Sequence, residues 1–234
     1  MITVDNNELF VGGIAASDLA KQFGTPIYVY DEETIRARVS DLLNGIAYRP
    51  FKILYAAKAN TNVNLLKIIR GESKKLSAAE AVIGVDAVSQ GEIMAALKAG
   101  FLPEQVMFTS TSVTDEEMKF AIRNKVLVNC DSLSQLERYG RLSPNSPVSI
   151  RINPDVGAGH HGHVITGGPE SKFGIWAADF DKVFGVAARY GLRIVGVHEH
   201  IGSGILEIGK FITAMNVLLK VVEKYKDKLQ HLLQ

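Results

Sequence analysis

Lys58 follows directly on the apolar run Ile53-Leu54-Tyr55-Ala56-Ala57. Such a run reads as a buried strand, so a primary amine stands where a strand gives way to a loop. In folds built on parallel strands, ligands gather at that end of the sheet. An amine in a partly dry pocket there is a good nucleophile toward a carbonyl. A lone strand-end lysine ordinarily only reaches back to water, so other residues must support the chemical reading. The run Val197-His198-Glu199-His200-Ile201-Gly202-Ser203-Gly204 does so. Strand alternation places His198 and His200 on one face and Glu199 on the other. Gly202, Ser203 and Gly204 then offer backbone N–H groups and a hydroxyl that suit a phosphate.

Stepping outward, the elements that must position these groups alternate between strand and helix. Residues 26–30 read as a strand and residues 31–43 as a helix with Ile35, Val39, Leu42 and Leu43 on one face. Strands at 53–57, 86–88, 106–109, 126–130, 148–152 and 194–197 are each followed by a helical pattern, the last from about 208 to 233. Ser89–Glu92, Thr114–Glu117 and Ser132–Gln135 have capping-box spacing, and Gly100 and Gly140 suit helix C-termini. Short apolar strands separated by helices predict a covered parallel sheet. The expected fold class is α/β, a TIM-like (β/α)8 barrel truncated to about six strand–helix units. Because the sequence stops inside a helix, about two further units are expected beyond residue 234.

Polar residues recur at the strand ends: Lys58, Ser89, Thr109 with Ser110, Asn129 with Asp131, Arg151 with Asn153, and His198 with His200. In a barrel these ends share one mouth. The loop 153–175 is long and glycine-rich, as functional loops often are. Its His160, His161 and His163 lack a companion cysteine or carboxylate cluster at ligand spacing, so no metal site is assigned.

The chain has 234 residues, a formal net charge of +1 and 47% hydrophobic residues. The near-neutral balance supplies no electrostatic case for nucleic acid or an anionic membrane. Cys130 is the sole cysteine and reads as a small buried hydrophobe. The N-terminus shows no secretory pattern, and no apolar run approaches the roughly 20 residues of a membrane helix. A cytoplasmic location is expected.

A Schiff-base amine, a phosphate cradle and an imidazole able to stack on a flat ring together point to pyridoxal 5'-phosphate. The segments Tyr55-Ala56-Ala57-Lys58-Ala59-Asn60, Thr25-Pro26-Ile27-Tyr28-Val29-Tyr30-Asp31 and Asp86-Ala87-Val88-Ser89-Gln90-Gly91-Glu92 resemble those of fold-type III pyridoxal-phosphate decarboxylases, whose barrel is of the alanine racemase type. Arg151-Ile152-Asn153-Pro154-Asp155, Ser171-Lys172-Phe173-Gly174-Ile175 and His198-Glu199-His200-Ile201-Gly202-Ser203 resemble the diaminopimelate decarboxylase branch.

The resemblance implies that Lys58 holds the cofactor and later handles the proton at the substrate carbon. It implies that His200 stacks on the ring, that Ser203 with Gly202 and Gly204 binds phosphate, and that Ala56, Asp86 and Arg151 line the cofactor site. His161 and Ser171 would shape the substrate side. Residues 1–30 would pair with a C-terminal β-domain, and residues 31–234 would form an incomplete cofactor-binding barrel. The implied activity is decarboxylation of meso-diaminopimelate to L-lysine by a homodimer. Another decarboxylase of the fold (acting on ornithine, arginine or carboxynorspermidine), a non-catalytic pyridoxal-phosphate barrel and a cofactor-free doubly wound module remain open alternatives. Residues 109–113 depart from the family's usual third strand end, and its later phosphate loop and ring-nitrogen glutamate would lie past residue 234.

Overall fold

The computed structural model describes residues 1–76, 81–153 and 173–229. It opens with a three-stranded antiparallel sheet, β1 (Ile2–Asp5), β2 (Glu8–Val11) and β3 (Ile14–Ala15), followed by α1 (Ala16–Phe23). Asn6 and Asn7, both at positive φ (45° and 63°), make the two-residue turn of the first hairpin. Paired asparagines between alternating residues are a legible hairpin signal, and the sequence reading above passes over it. Residues 26–30, expected to be a strand, form none. Tyr28 is 93% exposed, and an extended segment without a neighbouring strand closes no ladder.

The rest is a half-barrel of parallel strands with flanking helices, in line with the expected class. Its elements are α2 (Glu32–Gly45), β4 (Phe51–Ala56), α3 (Val63–Leu76), β5 (Ala81–Ala87), α4 (Gln90–Lys98), β6 (Val106–Phe108), α5 (Asp115–Arg123), β7 (Leu127–Cys130), α6 (Leu133–Leu142), β8 (Pro147–Asn153), β9 (Ile175–Trp176), α7 (Phe180–Tyr190), β10 (Arg193–His198) and α8 (Ile208–Lys224). Six strands run in the order β10-β8-β7-β6-β5-β4, with the two-residue β9 pairing beside the end of β8.

Strand parity sorts the side chains. Val85, Ala87, Phe108, Val128, Cys130, Val148, Ile150 and Ile152 point outward and bury themselves against Ile93, Met118, Leu136 and Phe180 of the helices. The alternate residues face the barrel interior, and they carry the polar groups: Asn129, Ser149, Arg151 and Asn153 are all buried. Cys130 is fully buried on the outward face, and burial drives its thiol far above the usual range.

The starts of α4, α5 and α6 carry side-chain caps. Thr114 and Glu117 form the reciprocal capping box read from the sequence. At α4 and α6 the pattern shifts by one residue. Ser89 and Ser132 accept from the Glu92 and Gln135 N–H groups, but Glu92 Oε2 and Gln135 Oε1 reach back to the N–H groups of Val88 and Asp131. The caps therefore clamp the last residues before the loops. Gly100, at φ 90°, ends α4 as expected.

Gly140 does not end its helix. It lies within α6, where a Cβ would sit 2.5 Å from Tyr190 Cδ2 and 2.9 Å from Tyr190 Cβ. It is a close-approach glycine for α7 packing, a role local sequence does not reveal. In Gly140→Ala the clash outweighs the gain in helix propensity, which is about 1 kcal/mol. The variant should lose about 1–3 kcal/mol net, read as a lower urea midpoint with an unchanged slope. A midpoint equal to or above wild type would contradict this packing.

Candidate active site

β4 ends at Ala56, and a single 3-10 turn, Ala57–Ala59, carries the chain away. Ala57 is fully buried and anchors this turn, while Lys58 stays exposed on its rim. Lys58 borders a cavity of about 430 Å³ whose other walls are Ala56, Asp86, Val88, Thr109, Ser110, Thr111, Arg151, Phe173, His198 and His200. Residues from β4, β5, β8 and β10 thus converge through their C-terminal ends, as parallel strands in register require.

Two buried side-chain atoms of this cavity, Arg151 Nη2 and His198 Nδ1, have no hydrogen-bond partner. Arg151 is 6% exposed, lies over the Phe173 ring at 5.1 Å and leaves Nη2 without a hydrogen-bond partner. Asp86 and Asp131 act on it only at longer range, and burial pulls its guanidinium below the usual value. Burial raises the Asp86 carboxyl, and a hydrogen bond from Thr109 Oγ1 partly offsets that. Burial lowers His200, helped by the Arg151 and Lys58 charges. His198 is pushed down to about 4, first by burial and then by Arg151 and His200. Both imidazoles are therefore neutral at ordinary pH.

Of the residues singled out in sequence, Lys58, Ala56, Asp86, Arg151 and His200 meet in this cavity. Gly202, Ser203 and Gly204 do not line it. They form the loop just after His200, with Ser203 exposed and both glycines at positive φ (139° and 68°), where a side chain is strained. His161 and Ser171 lie outside the described residues, as do His160 and His163. Among the described residues no cluster of His, Cys, Asp and Glu is placed to hold a metal. The sequence reading missed the Thr109–Asp86 bond and the stacking of Phe173 on Arg151, and it gave His198 no role. Parity with His200 was the available signal for His198.

The cavity suits a ligand with a reactive carbonyl, a flat ring and anionic oxygens. It offers an amine, two neutral imidazoles and a buried guanidinium with a spare donor. Residues 32–233 match the pyridoxal binding domain of the pyridoxal-dependent decarboxylases. The chain belongs to this family.

More particular likenesses fall in one branch. A diaminopimelate decarboxylase from Methanothermobacter thermautotrophicus is 42% identical over 226 residues, covering 95% of this chain and 51% of the relative. The diaminopimelate decarboxylase of Helicobacter pylori, complexed with L-lysine, superposes with a TM-score of 0.82 at 29% identity, over 90% of this chain and 53% of that one. That of M. jannaschii, also with L-lysine, gives 0.81 at 27%, over 97% and 54%. The chain spans about half the length of the curated relatives it matches.

The depressed His198 has a measurable consequence. An unfolded histidine binds its proton below about pH 6.5, whereas the folded one does so only near 4. Between those values the unfolded state holds more protons, so stability falls on acidification. The loss attributable to this ring is about 2–4 kcal/mol, and His200 adds a contribution of the same sign. His198→Phe should flatten the urea-derived stability profile between about pH 6.5 and 4. A profile as steep as wild type would show that the ring is not buried neutral.

Proposed function

We propose that this chain is the cofactor-binding half of a diaminopimelate decarboxylase, which releases CO2 from meso-diaminopimelate to give L-lysine. The convergence of Lys58, Asp86, Arg151 and His200 on one cavity carries the reading, and the identity to diaminopimelate decarboxylases across almost the whole chain supports the choice of substrate.

Lys58 Nζ would hold the cofactor at its carbonyl carbon. The bound pyridoxal phosphate supplies an electron sink for the pair left behind when the carboxylate departs. His200 covers one face of the ring and keeps water off it. Gly202, Ser203 and Gly204 take the phosphate on backbone N–H groups and a hydroxyl. Arg151, braced on Phe173, directs positive charge at an anionic oxygen of the bound pair. Asp86, fixed by Thr109, balances that charge across the cavity. Lys58 Nζ would then return a proton to the substrate carbon. His161 and Ser171 belong to the substrate side in this reading.

The complete enzyme is assigned a further pair of strand–helix units and a β-domain that pairs with residues 1–30. Two surfaces support this. Beside β4 an apolar cleft of about 410 Å³ is lined by Ile35, Val39, Leu42, Ile53 and Leu65. On α8, Ile208, Phe211, Ile212 and Leu219 are all at least half exposed. A cytoplasmic homodimer acting on a small amino acid, without nucleic-acid or membrane partners, completes the proposal. No helix among the described residues is long and apolar enough to cross a membrane.

Two measurements test it. Borohydride treatment of the chain with pyridoxal phosphate should attach the cofactor to the peptide bearing Lys58, and Lys58→Ala should abolish the label. Co-expression with the C-terminal half of the M. thermautotrophicus relative should give lysine from diaminopimelate and no product from ornithine or arginine. Labelling elsewhere would remove Lys58 from its role. Turnover of ornithine or arginine in place of diaminopimelate would reassign the substrate.

A further inference from the structure

His198 is the one imidazole of the cavity wall that the proposed reaction leaves unused. It is the last residue of β10, and His200, two residues further on, lines the same cavity. His198 Nδ1 is buried and has no hydrogen-bond partner. Leaving such an atom unpaired costs roughly 1–3 kcal/mol. A match stands on the neighbouring strand. Arg151 is the register partner of His198, both side chains line the same cavity, and Arg151 Nη2 is likewise buried and unpartnered. One atom can only donate, and the other is a ring nitrogen able to accept. Both are shielded from solvent, so neither is satisfied by bulk water.

Other buried orphans fit less well. Asn129 has an unpartnered Oδ1, but it registers with Ser149, one tier below Arg151. Glu199 Oε2 lies past the end of β10, and Glu199 does not line this cavity. The Arg151 charge already bears on His198 at the observed separation.

We propose that Arg151 fixes the tautomer of His198: Arg151 Nη2 donates to His198 Nδ1, which places the ring proton on Nε2 as a hydrogen-bond donor to an anionic oxygen of the cavity ligand. The proton sits on one ring nitrogen because the other is occupied as an acceptor, with no net gain or loss of protons. The guanidinium thereby holds a positioning role in addition to its charge. His198 becomes a donor that does not itself titrate near neutral pH. The charged groups of the same cavity are Arg151 on β8, Lys58 after β4 and Asp86 on β5, with His200 just past the end of β10. The donor half of the proposal rests on the pyridoxal-phosphate reading; the tautomer half does not.

The test begins on the chain without cofactor, labelled with 15N-histidine. The His198 signals are assigned by their loss in His198→Phe. At neutral pH, Nδ1 should show the shift of an unprotonated ring nitrogen and Nε2 that of a protonated one. In Arg151→Met the two forms should exchange and average. A proton on Nδ1, or averaging already in the wild type, overturns the proposal, and this result needs no folded variant of Arg151. Pyridoxal-phosphate affinity then tests the donor. His198→Phe should weaken it roughly five- to tenfold, and His198→Asn, which retains a donor, should recover most of the loss. To locate the oxygen, the 3-deoxy cofactor analogue is compared. A penalty confined to the natural cofactor places the donor on the ring oxygen. A penalty seen only with a bound substrate carboxylate places it there. No penalty in either overturns the donor role. A wild-type chain that takes up no pyridoxal phosphate removes the donor role and the cofactor reading together, and leaves the tautomer result standing alone.

Discussion

Everything in this chain depends on pleat parity in a set of parallel strands. Successive residues must point to opposite faces, and parallel neighbours in register must point alike. Once Val85, Phe108, Val128, Ile150 and Ile152 are drawn outward by burial against the helices, the intervening residues have no choice of direction. Asp86, Thr109, Asn129, Asp131, Arg151, His198 and His200 are thereby delivered to one interior surface. The hydrophobic effect acts on one half of each strand and positions the other half.

That delivery is costly, and the cost explains the character of the cavity. An arginine at 6% exposure would normally be matched by a direct ion pair, yet Arg151 has carboxylates only at longer range and an aromatic ring against its face. Burial of this kind is tolerated where a ligand completes the pairing. The same dry surroundings hold both imidazoles uncharged, so the cavity sets the buried Arg151 cation, the Lys58 amine and the Asp86 carboxyl beside two neutral rings. An anionic, ring-bearing ligand is the complement of that pattern.

The helix caps transmit order from the outer layer to this surface. Glu92 and Gln135 each bridge from the first turn of a helix to the backbone just before its cap, at Val88 and Asp131. Two strand ends are thus held by side chains of the helices that follow them. Among the described residues, these two corners of the half-barrel mouth are fastened locally.

The strand–helix alternation, the six strand ends and most cavity residues were legible from spacing alone, because burial periodicity and caps are local signals. Lys58, Arg151 and His200 could be picked out for that reason, whereas Asp86 entered only through the family resemblance. The strand expected at 26–30 failed because a strand exists only with a neighbour, which no local pattern supplies. Gly140 was misread for the same kind of reason: its constraint is Tyr190, fifty residues away. The pairing of Thr109 with Asp86 and the seat of Arg151 on Phe173 join distant segments, and only the packed sheet and loops brought them together. The sequence by itself determined which groups face inward, since parity and burial act residue by residue. Which of those groups touch, which stay unpaired and which remain neutral was decided by the tertiary structure, because distance and dielectric belong to the assembled cavity.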